Sequence, residues 1–228
     1  MQPNSVKNFI ELCGTPPIKV AHGIGETVSL TCEALGSPAP TIRWLKNNEP
    51  IHDYNPETNY ILDAPSQSSI AKVYSTLFVS TPSKNLEDVY TCVITAGPVV
   101  QKSSTTVFTA DSNTELAKHA LMTPQPPTIV YTYKALMDVM GSNVVIPCRA
   151  RGHPHANVYW KDNNGILLFI YYFKVLRNGE LVIRNIRWAD MGDYHCIATN
   201  SAGTVTSITF VYPFKVNNPE DQNKGLKI

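Results

Sequence analysis

The sequence has almost no net charge. Its 19 Lys and Arg residues face 18 Asp and Glu residues, which leaves a formal charge of +1 over 228 residues. Such a chain has no basic field of the kind that a phosphate backbone attracts, so nucleic acid is not an expected partner. No apolar run is long enough to span a membrane, and the polar segment 216–228 predicts neither a transmembrane nor a lipid anchor.

Patterns typical of catalysis are missing. There is no nucleophile beside a base in a known motif, no prominent carboxylate pair and no glycine-rich phosphate loop after a strand. His153 and His155 flank a proline and His195 lies further along, but this is not the regular spacing that zinc ligands usually have. We therefore expect solvated loop histidines, no cofactor and no enzyme activity.

Cysteine is scarce, with five residues, but four of them recur in a pattern. Each half of the chain has a first cysteine, a tryptophan twelve residues later, and a tyrosine two residues before a second cysteine: Cys32, Trp44, Tyr90 and Cys92, then Cys148, Trp160, Tyr194 and Cys196. This set is typical of an immunoglobulin-type sandwich, in which the cysteines bridge the sheets, the tryptophan packs on the bridge and the tyrosine forms a corner.

The repeat predicts an all-β chain of two tandem immunoglobulin-like sandwiches of the I-set type, joined by a Pro-rich linker. We place the first domain at 16–109, the linker at 110–126, the second domain at 127–214 and a polar tail at 215–228. Residues 1–15 are expected to form a loose lead-in. Within the linker, residues 115–122 suggest a short helix and residues 123–127 a stiff, extended spacer.

The cysteine positions predict the bridges Cys32–Cys92 and Cys148–Cys196, and thus an oxidising compartment. The alternative is a reduced sandwich with the same spacing. Cys13 is the odd cysteine, and it is either a free thiol near a frayed terminus or half of an intermolecular disulfide. The first seven residues lack the apolar segment of a secretory signal, so we expect that a leader was removed and Met1 added.

One segment of the second half is unusually apolar. It consists of Ile166, Leu167, Leu168, Phe169, Ile170, Tyr171, Tyr172 and Phe173. We expect it to form the strand beside the one that carries Trp160. Since successive side chains of a strand face opposite ways, one alternate set of this run must lie outside.

By the same count Tyr159 and Ile197 point outward on neighbouring strands. Together these residues predict an apolar patch on the outer face of the second domain, and such patches usually mark a partner surface. The alternative is that the linker, the first domain or its own core covers the run. Leu45 and Val93 are the equivalent, sparser outward residues of the first domain, while Trp188 is expected to cap the core.

Several short motifs resemble one family. They are Met140 to Asn143, Cys148-Arg149, Asn178 to Leu181, Ile186 to Gly192, Cys196 to Ala198 and Phe210 to Pro213, with Thr15 to Pro17, Cys32-Glu33 and Tyr90 to Val93 in the first half. The chain resembles the insect imaginal morphogenesis protein Late Two family, also called neural/ectodermal development factor, and is similar to nematode secreted proteins with two immunoglobulin domains.

The resemblance implies a secreted protein that binds insulin-like peptide hormones, withholds them from their receptor and restrains growth during development. The alternative from another class is a cell-adhesion or axon-guidance module that pairs with itself as a homodimer or with another immunoglobulin protein through the same sheet.

Overall fold

The computed structural model describes residues 7–22, 27–51, 66–79, 87–109, 124–168 and 173–215. The strands of the first half are β1 (Phe9–Gly14), β2 (Lys19–His22), β3 (Val28–Ser37), β4 (Thr41–Lys46), β5 (Glu49–Pro50), β6 (Ile70–Val79), β7 (Glu87–Ala96) and β8 (Val99–Thr109). Those of the second half are β9 (Gln125–Val139), β10 (Val144–Ile146), β11 (Cys148–His153), β12 (Asn157–Lys161), β13 (Phe173–Val175), β14 (Leu181–Ile183), β15 (Gly192–Asn200) and β16 (Gly203–Phe214). A short 3-10 helix covers Trp188–Asp190.

Two disulfides tie the strands together as the sequence predicts. Cys32–Cys92 joins β3 to β7, and Cys148–Cys196 joins β11 to β15. The first bridge connects two sheets, because β7 belongs to the five-stranded sheet β2-β8-β7-β4-β5 and β3 to the largest sheet. The prediction of two disulfide-bridged immunoglobulin sandwiches is confirmed.

Each tryptophan packs inside its own half of the chain. Trp44 and Trp160 are buried; the Trp44 indole donates to Ser75 Oγ at 2.9 Å, and that of Trp160 donates to the Gly179 carbonyl at 2.9 Å. Both tyrosines of the repeat, Tyr90 and Tyr194, are buried too. A buried indole or phenol needs a partner for its polar end, and these bonds supply one for each tryptophan.

The tyrosine corner of the second half is formed. The Tyr194 hydroxyl donates to the Asp190 carbonyl, four residues upstream, at 2.9 Å. The corresponding upstream residues of the first half lie in segment 80–86, outside the described residues. In the first half of the chain, the Lys46 ammonium lies 5.8 Å from the centroid of the Tyr90 ring, and burial raises the pKa of the Tyr90 hydroxyl.

The largest sheet has eight strands and belongs to both halves of the chain. Its order is β1-β3-β6-β9-β16-β15-β12, and β11 also pairs with β9. β9 pairs antiparallel with β6 along one edge, from Ile70–Met137 to Ser75–Tyr131, and with β11 and β16 along the other. The first strand of the second sandwich is therefore also a strand of the first.

Two expectations about the segments between and before the domains are wrong. Residues 9–14 are not a loose lead-in, because β1 pairs with β3 and buries Ile10. The extended spacer expected at 123–127 is, from Gln125 on, the beginning of β9. The helix suggested at 115–122 lies outside the described residues, as does most of the linker.

Two tyrosines of β9 fasten the second half to the first. The Tyr131 hydroxyl accepts from the Ile42 amide of β4, and the Tyr133 hydroxyl donates to the Pro40 carbonyl, each at 3.4 Å. Both rings are buried. The Arg149 guanidinium of β11 lies over the Tyr131 ring, 4.4 Å from its centroid. Aromatic area and satisfied hydroxyl groups thus stabilise the junction from both sides.

A buried carboxyl group also lies at the junction. Asp138 follows Met137 in β9 and is 2% exposed. Burial raises the pKa of its carboxyl, while hydrogen bonds from the Ser66 hydroxyl, the Val139 amide and the Ser142 hydroxyl oppose the rise. Ser66 precedes β6, so this carboxyl contacts both halves of the chain.

We predict that Tyr133→Ala destabilises the protein by about 3 to 5 kcal/mol, the usual cost of truncating a large buried aromatic side chain. Lys134→Ala is the matched control, because Lys134 is the exposed next residue of the same strand and loses only the contact of its ammonium with the Tyr74 ring of β6, 5.3 Å from the centroid, which is worth about 0.5 to 1 kcal/mol. Urea denaturation followed by circular dichroism measures both. Equal, small losses for the two variants would contradict a tyrosine-based junction.

Asp138→Asn should change how stability depends on pH. The folded protein holds the Asp138 proton more tightly than the unfolded chain, so this carboxyl's contribution is fully present below its unfolded pKa and is lost as pH rises through its raised folded pKa. The stability of the wild type minus that of the variant should therefore fall as the pH rises from acid to neutral. Denaturation midpoints in a pH series test this, and a constant or rising difference counts against it.

Candidate functional site

The shared sheet turns one face away from both cores. One row of directly paired residues crosses six strands of the eight-stranded sheet: Glu11, Leu35, Lys72, Ala135, Phe210 and Asp193. Paired residues lie on the same side of a sheet, and none of these six is buried. The adjacent row, Ala71, Leu136 and Val211, is buried. The outer face is therefore one surface that crosses the domain boundary.

Large apolar side chains lie together on this surface. We call them the outer-face patch: Met137, Trp188, Ile208, Phe210 and Tyr212. Ile208 is 46% exposed, Phe210 43% and Met137 37%. Tyr212 pairs with Met137, and its ring packs against the Trp188 ring in a T-shaped arrangement with the centroids 5.8 Å apart. An exposed apolar group of this kind on a folded protein usually marks an interaction site.

Charged and polar side chains border the patch on both sides. Lys72 lies 2.9 Å from the Glu33 carboxylate, and the hydrogen bond and charge of Glu33 raise the pKa of this lysine. On the other side, β15 presents Asp193 and His195 beside Phe210 and Ile208. An apolar centre with a polar border is the usual anatomy of a protein-binding surface.

The residues predicted on the neighbouring strands have mixed positions. Tyr159 and Ile197 pair with each other on the outer face, where Tyr159 is half-buried and Ile197 is buried. Leu45 and Val93 are half-buried on β4 and β7 of the five-stranded sheet. They therefore lie on a different sheet from the outer-face patch.

The apolar run 166–173 is not one strand beside β12. Leu167 makes an isolated bridge to Lys161, and the Leu168 amide donates to the Trp160 carbonyl at 3.1 Å. Phe173 instead begins β13, in a separate three-stranded sheet of order β10-β14-β13, and the centroid of its ring is 6.0 Å from that of Tyr194. The chain thus starts the run against one sheet and ends it in another, so a single parity cannot hold.

Exposed and buried side chains do not alternate along the described part of that run. Ile166 and Leu167 are both exposed, Leu168 is buried and Phe173 is half-buried. Phe169, Ile170, Tyr171 and Tyr172 lie outside the described residues. Exposed apolar side chains next to the Asp162–Gly165 turn form a second, smaller candidate contact, at the edge of the sheet.

Trp188 was expected to cap the core, and that prediction is wrong, because its side chain is 56% exposed. The backbone amide of Arg187 donates to Asp190 Oδ2 at 2.7 Å, which closes the turn around the 3-10 helix. The Asp190 carbonyl also receives the Tyr194 hydroxyl. These bonds hold the turn and set the indole beside Tyr212, on the surface.

The remaining sequence candidates are Cys13 and possible metal ligands. Cys13 is exposed and forms no disulfide within the single chain, and its Sγ lies 3.7 Å from the Glu11 carbonyl oxygen. The intermolecular disulfide therefore stays a prediction. In the described ranges no three His, Cys, Asp or Glu side chains are grouped so as to hold a metal ion. Across those same ranges no helix has the length and apolarity to cross a membrane.

The architecture and sequence together define the class of protein. The sequence profile of the immunoglobulin domain matches residues 12–95 and 126–200. This is a tandem immunoglobulin-domain protein, of a class built for binding rather than catalysis.

Comparison with known proteins narrows the class. Over 215 residues the chain is 34% identical to neural/ectodermal development factor IMP-L2 of Drosophila melanogaster, a match that covers 94% of this chain and 79% of that protein. The crystal structure of IMP-L2 matches with a TM-score of 0.80 and 33% identity, over 94% of this chain and 98% of that one. Zwei Ig domain protein zig-4 of Caenorhabditis elegans is 31% identical over 192 residues, covering 83% of this chain and 74% of that protein. The chain belongs to the IMP-L2 family, as its short motifs indicate.

We predict that Trp188→Ala costs less than about 1 kcal/mol of folding stability, because the indole is a surface group. Trp160→Ala is the matched comparison, since the buried indole should cost about 3 to 5 kcal/mol. Urea denaturation of both variants measures the difference. A loss for Trp188→Ala as large as that for Trp160→Ala would restore the core-cap interpretation.

Proposed function

We propose that this protein is secreted, binds insulin-like peptide hormones on its outer-face patch and withholds them from their receptor, so that it restrains growth signalling. Its resemblance to the IMP-L2 family is the source of the hormone class. The observation that carries the proposal is the exposed apolar centre of a sheet shared by two domains. Capture would then be competition, because a hormone whose apolar receptor-binding surface is covered cannot bind its receptor.

The outer-face patch has the chemistry that such capture needs. Nanomolar binding corresponds to about 12 kcal/mol. Interfaces draw most of such energy from a few aromatic or arginine residues that become fully dry, each worth about 2 kcal/mol or more on truncation. Trp188, Phe210 and Tyr212 can act as these anchors, with Met137 as an adaptable apolar neighbour.

The shared sheet supports binding by holding the surface in one shape. Met137 belongs to β9, which is paired on both edges, and Phe210 pairs with Ala135 of the same strand. A surface that is ordered before binding loses less conformational entropy when the partner arrives. Two disulfides are consistent with the oxidising, extracellular setting of a circulating hormone.

Phe210→Asp should weaken the binding of an insulin-like peptide at least tenfold, since the partner would have to dry a charged group at the centre of the patch. Val100→Asp is the matched control, because Val100 is an exposed strand residue on the five-stranded sheet and should bind normally. Calorimetric titration with the hormone, after circular dichroism has verified folding, gives both affinities. Normal binding by Phe210→Asp would exclude the outer-face patch.

A double variant at Ile166 and Leu167 tests the smaller contact at the sheet edge. If the double variant at Ile166 and Leu167 loses hormone binding while Phe210→Asp keeps it, the hormone site lies beside the Asp162–Gly165 turn. Phe169 and Tyr171 were expected to contribute at that place, and they lie outside the described residues.

The adhesion alternative uses the same surface with a different partner. An apolar sheet face can also be covered by a second copy of the chain. Light scattering at several concentrations separates the two functions. Concentration-dependent dimers that Phe210→Asp abolishes, together with no hormone binding, would favour adhesion.

A further inference from the structure

The sequence contains two asparagine-glycine pairs, Asn164-Gly165 and Asn178-Gly179. Both lie in turns of the second domain, where each glycine amide donates to the carbonyl three residues upstream at 3.0 Å. Both glycines have a positive φ, 77° in one and 89° in the other, which a residue without Cβ adopts readily. The backbones of the two turns are therefore alike, and their surroundings distinguish them.

An asparagine before a glycine can lose its side-chain amide without any enzyme. The glycine amide nitrogen attacks the asparagine Cγ, the bond from Cγ to the side-chain nitrogen breaks, and ammonia leaves with the proton of the glycine amide. The resulting five-membered succinimide ring is opened by water at either carbonyl, which gives aspartate or isoaspartate. Glycine favours the attack because no Cβ crowds its nitrogen. Water is the only co-reactant.

The surroundings of Asn178 oppose this reaction. Its Oδ1 accepts from the Glu180 amide at 3.2 Å, and its Nδ2 is buried. Gly179 is buried, and its carbonyl accepts from the Trp160 indole at 2.9 Å. A Cβ added to Gly179 would lie only 2.6 Å from the Cys148 carbonyl oxygen. Neither the side chain nor the main chain of this turn can move to close a ring while the domain stays folded.

The surroundings of Asn164 permit the reaction. Asn164 and Gly165 are both exposed, and nothing lies within 4 Å of a Cβ added to Gly165. Among the described residues, none forms a hydrogen bond with the Asn164 side chain. The Asp162 carboxylate holds only the main chain of the turn, through the Asn164 amide at 2.9 Å and the Ile166 amide at 2.8 Å. An exposed turn opens locally at low free energy, which brings the Gly165 nitrogen to the side chain.

We propose that Asn164 is a site of spontaneous deamidation, so that the Asp162–Gly165 turn of the folded protein acquires a carboxylate with time while Asn178 keeps its amide. The new group is ionised at neutral pH and lowers the formal net charge of +1 by one. Isoaspartate also lengthens the main chain of the turn by one carbon. Both changes adjoin the exposed Ile166 and Leu167, so the smaller candidate contact becomes harder to dry. The reaction does not depend on hormone capture.

The test follows the full chain during incubation at mildly alkaline pH. Trypsin, which cuts after lysine and arginine, places the two asparagines on separate peptides, 162–174 and 178–184. Mass spectrometry then measures the exchange of amide for acid in each peptide.

Peptide 162–174 should convert at least about tenfold faster than peptide 178–184, because Asn178 must wait for local unfolding. In urea the two rates should agree within about twofold, since the protecting structure is gone. Equal rates in the folded protein, faster conversion of peptide 178–184, or no conversion of peptide 162–174 would each overturn the proposal.

Asn164→Gln is the matched control, because peptide 162–174 also contains Asn163. Glutamine would have to close a six-membered ring, which forms far more slowly, so the aged variant should show no exchange in this peptide and an unchanged rate in peptide 178–184. Exchange that persists in the variant would assign the reaction to Asn163 and overturn the proposal. In the wild type, an isoaspartyl methyltransferase should label peptide 162–174. Aspartate without isoaspartate would exclude the succinimide route.

Discussion

The backbone hydrogen bonds between β6 and β9 are the constraint on which the rest of the structure depends. β9 is already paired with β11 and β16, so it cannot separate from β6 without leaving amide and carbonyl groups unpaired in a buried place. Each such group costs about 1 to 3 kcal/mol. Tyr131 and Tyr133 add buried aromatic area at the same strand, which makes one arrangement of the two halves far more stable than a flexible pair.

That pairing also determines what the molecule presents to partners. Because Ala71, Leu136 and Val211 face the cores in one row, Lys72, Ala135 and Phe210 face away in the next, whichever domain they belong to. The outer face is consequently continuous, and its apolar centre lies next to the junction. The five residues of the outer-face patch all belong to the second half of the chain, and the pairing of β6 with β9 adds Lys72 of the first half at the border of the patch.

The outer-face patch was only partly predictable, for a reason visible in β16. Its inward positions include the polar residues Ser207 and Thr209, whereas the outward ones include Ile208 and Phe210. Hydrophobic alternation therefore points the wrong way along this strand, and only the pairing of Cys196 with Ser207 fixes which side is inside. The burial of Trp188 was also predicted wrongly, because an apolar side chain near a core is expected to be buried in that core.

The sequence by itself determined the two sandwiches, because Cys, Trp and Tyr at fixed spacing can meet only when two sheets pack face to face. It also determined the bridges and the family. Only the tertiary structure decided that β1 and β9 are sheet strands, that the run from Ile166 to Phe173 divides between sheets, and that the domains share one face. Strand pairing between distant segments depends on backbone groups that every residue has, so side-chain patterns carry little information about it.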